Sequence, residues 1–70
     1  MSAAKKIKIL LVERDLTLTE LSKRLNKHLS TMSVKMKRDN FTEQDLREIA
    51  DSLNYDYEAV FTDRETGKSI

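Results

Sequence analysis

Apolar residues in the first half of the chain recur at helical spacing. Ile7, Leu10 and Leu11 fall at i, i+3 and i+4, with Lys5, Lys6, Lys8 and Glu13 outside that stripe, which predicts a helix from Ala3 to about Arg14. Leu18, Leu21 and Leu25 give the inner face of a second helix, over about 18–25. Thr17-Leu18-Thr19-Glu20 at its start fits a capping box, in which the threonine hydroxyl accepts from an early amide and the glutamate reaches back. Asn26 stands where the chain must turn, and Asn is the best substitute for Gly in the left-handed position after a helix. Leu29, Met32 and Met36 are the inward positions of a third helix over about 29–37, which Arg38-Asp39-Asn40 breaks. Thr42-Glu43-Gln44-Asp45 repeats the cap signature, and Leu46, Ile49, Ala50 and Leu53 share one face of a fourth helix over about 43–53, closed by Asn54.

The remaining segment changes period. Tyr57, Ala59 and Phe61 alternate with Glu58, Val60 and Thr62, which favours a strand. Asp63 to Gly67 has turn composition, and Lys68-Ser69-Ile70 suits a short return strand. The alternative is a one-turn fifth helix capped by Asp56 and containing Val60. The expected architecture is one mainly α domain over 1–70, with four or five helices and an extended or short β C-terminal segment.

At 70 residues, 39% hydrophobic and 36% charged, the chain has a thin core and gains from dimerisation. It has no cysteine, which excludes disulfides, thiolate metal sites and cysteine nucleophiles. Ile7 to Val12 is too short for a signal peptide and is interrupted by Lys8, and no stretch can span a bilayer, so a cytoplasmic location without a membrane partner is expected. There is no glycine-rich phosphate loop. Asp45 and Glu48 stand at i, i+3 without a companion nucleophile, and with Glu43, Asp51 and Arg47 they read as a solvated helix face. His28 is the only histidine and reads as a cap or phosphate neighbour rather than a metal ligand. No enzymatic activity, cofactor, metal or small-molecule substrate is expected.

Charge divides the chain. Residues 1–38 carry ten Lys/Arg and three acids, +7, whereas residues 39–70 carry three Lys/Arg and nine acids, −6. Such a split points to an anionic partner for the first half, to two halves that attract each other, or to solvated helix faces. The unit from Leu18 to Lys37 favours the first. Two short amphipathic helices joined by a few residues are the description of a helix-turn-helix, whose second helix enters the major groove of DNA. Ser30, Thr31, Ser33, Val34 and Lys37 lie outside the inward stripe, and Lys27 to Arg38 contains no carboxylate to oppose phosphates. Lys27, His28, Lys35, Lys37 and Arg38 surround the same element as candidate phosphate contacts, together with Thr17 at the second helix's N-terminus.

The run L-T-L-T-E-L-S-K-R-L-N, then S-T-M-S-V-K-M-K-R-D-N-F and L-R-E-I-A-D-S-L-N, resembles the helix-turn-helix domain of the phage lambda-repressor/Cro-like (XRE) family across residues 7–53. The resemblance implies a bundle of four or five helices, binding to double-stranded DNA as a homodimer, and transcriptional control, with repression the expected mode. It places the base-reading positions on Leu29, Ser30, Thr31, Ser33 and Val34. Two residues depart from the family pattern. Leu18 stands where a phosphate-contacting Gln is common, and Asn26 replaces the usual Gly. None of Ser30, Thr31, Ser33 and Val34 can read A or G in bidentate fashion, so readout falls to hydroxyls, to Val34 against thymine methyls, and to DNA shape. Dimerisation is expected through the tail over 55–70, around Tyr57, Val60 and Phe61, an exposed alternating strand being a ready pairing edge. The competing function is a protein-interaction module on the same fold, such as an antirepressor or antitoxin.

Overall fold

A computed structural model describes residues 2–58 and 64–68. It contains four helices: α1 (Ala3–Glu13), α2 (Leu18–Arg24), α3 (Leu29–Arg38) and α4 (Glu43–Ser52). Each start has a local cause. Ser2 accepts from the Lys5 amide at α1. Both capping boxes form. The Thr17 hydroxyl accepts from Glu20 N–H at 3.2 Å while the Glu20 carboxylate accepts from Thr17 N–H at 3.1 Å. Thr42 and Asp45 make the same exchange at α4, at 3.1 and 2.9 Å. The α3 start differs: His28 holds the cap position without a side-chain hydrogen bond.

The ends share one device. Asp15, Asn26, Asp39 and Asn54 each adopt the left-handed conformation, with φ between 54 and 61°. Beyond each of them the next amide reaches back to a carbonyl in the last helical turn. Leu16 donates to Leu11, Lys27 to Ser22, Asn40 to Lys35 and Tyr55 to Ala50. Asp and Asn thus replace glycine in these turns, at the lowest steric cost among residues with a side chain.

The core joins all four helices. Ile7, Leu11, Leu21, Met32, Ile49 and Leu53 are buried together, and Leu10, Leu16, Leu18, Leu25, Met36, Phe41, Leu46 and Tyr55 pack around them. Leu29 is a correction to the expected pattern. It is 42% exposed and takes no part in this cluster. Helical side chains lean towards the N-terminus, so Leu29, in the first turn, points past the face that Met32 and Met36 bury.

Polar ties lock the ends of the helices to one another. The Asp39 carboxylate, just after α3, accepts from the Ala4 amide in the first turn of α1 at 2.8 Å. Arg14 donates to the carbonyls of Leu53 at 2.8 Å and Asn54 at 3.3 Å, and its guanidinium lies 4.0 Å from the Tyr55 ring centre. Arg24 donates to Ser52 O at 3.3 Å. The C-terminus of α4, where carbonyls lack helical partners, is therefore capped by Arg14, just after α1, and by Arg24 of α2.

No helix of the described residues is long and apolar enough to cross a membrane. The expected strand over 57–61 and return strand at 68–70 fall largely outside the described residues. Tyr57, Glu58 and Lys68, which are described, belong to neither strand nor helix, and the same holds for Asp56 and Glu58 of the alternative fifth helix.

Candidate nucleic-acid interface

The turn over 25–28 sets α3 against α2. Leu25 ends α2 partly buried, Asn26 reverses the chain, and the buried Ser22 both accepts the Lys27 amide on its carbonyl and donates its hydroxyl to Leu18 O. Met32 and Met36 hold the inner face of α3 on the core. Ser30, Thr31, Ser33, Val34, Lys37 and Arg38 are exposed, and Val34, opposite that inner face, is 46% exposed. The candidate base-reading residues are therefore all accessible, Leu29 included.

Two shallow grooves flank α3. One is lined by Ser30, Thr31, Val34, Lys35 and Asn40. The other is lined by Ser33, Met36 and Lys37 of α3, by Lys8 and Leu11 of α1, and by Leu18 of α2. Ser33 thus faces the α1 side, apart from Ser30, Thr31 and Val34.

The candidate phosphate contacts divide into free and committed groups. Lys37 and Arg38 project from the last turn of α3 and make no ion pair among the described residues. Lys35 is committed: its ammonium donates to the Asp45 carboxylate at 2.8 Å, with the two side chains 26% and 14% exposed. Lys27 lies 3.9 Å from Glu48. The Thr17 hydroxyl is engaged with Glu20, to which it also donates at 3.0 Å. His28 is exposed beside the α3 N-terminus.

Asp45 and Glu48 are a second correction. They do not lie on a purely solvated face; they pair with α3 and with the turn before it. Burial alone would raise the Asp45 pKa. The Lys35 hydrogen bond, the Thr42 amide and hydroxyl, and the Lys35 charge outweigh that and hold it below its ordinary value. Arg47, on the exposed face of α4, is raised by its hydrogen bond to Glu43 at 2.8 Å and by that carboxylate's charge.

The sequence reading did not find the structural duties of Arg14, Arg24 and Asp39. Each acts across a long sequence separation on a backbone group, which no spacing rule reports. Among the described residues there is no group of three potential metal ligands.

On the expected dimer side, Tyr57 is half-buried and lines an apolar groove of about 370 Å³ with Ile9, Leu10, Leu46 and Tyr55. None of the groove's residues belongs to α2 or α3, and Lys6 and Asp56 stand on its walls. Val60 and Phe61 lie outside the described residues.

Compared with protein-family models, with curated proteins and with solved structures, the chain matches none.

Proposed function

We propose that this chain is a DNA-binding transcriptional regulator, a repressor of the lambda-repressor/Cro-like type, acting by binding rather than by catalysis. In this reading α2 and α3 form a helix-turn-helix, and α3 enters the major groove of double-stranded DNA. The observation that carries the proposal is the outward face of α3. It is exposed, small or cationic, and free of acid, while its inner face is anchored by Met32 and Met36. A helix between two phosphate walls needs that composition. Ser30, Thr31 and Val34 would meet base edges, Leu29 would lie at the edge of that surface, and Lys37 and Arg38 would meet phosphates.

The working unit is a homodimer, because one copy of α3 spans few base pairs and two copies read half-sites about one DNA turn apart. The groove beside Tyr57 supports that side of the molecule as the pairing face. It is apolar and lies off α3. Lys6 and Asp56, both in its lining, would each meet the opposite charge across a two-fold axis.

The test is selection from random-sequence duplexes, followed by titration of the Val34→Glu variant. The parent should enrich a defined site. Val34→Glu should stay folded, because the position is exposed, and should lose binding to all duplexes. A folded Val34→Glu protein that binds DNA like the parent would remove α3 as the reading element and leave the protein-interaction function as the better account.

A further inference from the structure

The structure sorts the basic residues of the first half. Arg14 and Arg24 are spent on backbone carbonyls, and Lys27 and Lys35 on carboxylates. Lys8 of α1 has no such partner among the described residues, and it lines the same groove as Ser33 and Lys37. That groove, of about 350 Å³, has an apolar floor of Leu11, Leu18 and Met36 and no carboxylate in its lining. Two lysines from different helices and one serine therefore line a cleft open to solvent.

We propose that this cleft binds a phosphodiester of the DNA backbone, held by Lys8, Lys37 and Ser33, so that α1 clamps one strand while α3 occupies the groove. The inference rests on the DNA-binding reading and extends it to a helix outside the helix-turn-helix. It also moves Ser33 from base reading to backbone binding. Its position fits this role, because it faces α1 rather than sharing the flank of Ser30, Thr31 and Val34. Lys8 supplies a charge, and the Ser33 hydroxyl supplies a short donor that fixes the register of the phosphate between the two lysines. Contacts of this kind position the protein and carry no sequence information.

The experiment is titration of a scrambled duplex and a selected duplex over a range of salt concentrations, with the full chain and four variants. Lys8→Ala should weaken binding to both duplexes by the same factor and reduce the log–log salt slope by about 0.9, the contribution of one neutralised phosphate. Ser33→Ala should also weaken both equally, without changing the tolerated bases. Lys5→Ala is the control on the same helix, since Lys5 is exposed, lines neither this cleft nor the groove on the Tyr57 side, and should leave the slope unchanged. Arg38→Ala tests the parent reading. Loss with Arg38→Ala but none with Lys8→Ala overturns the clamp and leaves α3 as the DNA-binding element. An equal loss with Lys5→Ala and Lys8→Ala also overturns it, because the effect is then net charge rather than a site. A parent chain with no salt-dependent binding to either duplex overturns both. Circular dichroism of each variant guards against misfolding.

Discussion

Replacing Asp45 by Asn should weaken the fold and strengthen nonspecific DNA binding in the same molecule. Asp45 performs two tasks at the start of α4: its carboxylate accepts from Thr42 N–H at 2.9 Å and from the Lys35 ammonium at 2.8 Å. Asn keeps the shape and one acceptor, so the cap survives in part, but the charge is lost. A hydrogen bond between charged groups is worth about 1.5–3 kcal/mol, and a carboxylate in the first helical turn adds about 0.3–1 kcal/mol. Lys35 is 26% exposed and can turn back to water, so the penalty for stranding a buried charge does not apply in full. The expected cost is about 2 kcal/mol, against a total stability of about 3–10 kcal/mol for a chain of this length. In thermal unfolding that is a fall of about 8–16 °C.

The pH dependence identifies the cause. The folded pKa of Asp45 lies below its ordinary 3.8, so the unfolded chain binds the proton more tightly. The stabilisation is therefore complete above about 3.8 and lost as pH falls through the lower, folded value. The gap between parent and Asp45→Asn should be full near neutrality and close in acid, where both side chains are neutral. On DNA, the variant frees Lys35 beside Thr31 and Val34 and removes a repelling carboxylate. Its log–log salt slope on a scrambled duplex should steepen by about 0.9. Urea midpoints of the two proteins across pH, with a duplex titration at neutral pH, measure both effects. Equal midpoints at neutral pH, or a gap that persists in acid, would refute the reasoning.

Arg14→Ala removes two hydrogen bonds to the end of α4 and the Tyr55 stacking, and should cost about 1.5–3 kcal/mol in urea unfolding. Arg14→Lys should recover less than half of that, because a point charge cannot serve both carbonyls and the ring as the planar fork does. Asn26→Ala should cost about 1–2 kcal/mol, since φ is 55° there, whereas Asn26→Gly should be neutral or slightly stabilising; denaturation midpoints of the pair separate backbone strain from side-chain loss.

What was legible in the sequence was local. The two capping boxes lie within four residues each, and their Thr and acid partners are found paired as read. Asn26 and Asn54 announced their turns because Asn is one of few residues that tolerates the left-handed region. Asp15 uses the same conformation without having been read as a turn, because Asp near a helix end is equally ordinary as a charged surface residue. Leu29 misled because period alone treats every apolar residue on a stripe alike, whereas burial also needs something opposite the side chain. The charge split was ambiguous in the same way. Attraction between the halves and attraction to an anion both produce +7 against −6, and only the side-chain pairings of the folded chain separate them. Among the described residues, Lys27–Glu48 and Lys35–Asp45 join the two halves, as does the Asp39 bond to the Ala4 amide. Part of the basic surplus is thus structural, and Lys35 stabilises the placement of α3. Of the remaining six, Lys8, Lys37 and Arg38 lie on or beside α3, whereas Lys5, Lys6 and Lys23 line neither groove beside it, and the proposed function rests on the first three. The candidate site is narrower than the sequence suggested at Lys27 and Lys35, and wider at Lys8, because a helix-turn-helix pattern read along the chain cannot show which side chains a separate helix brings alongside.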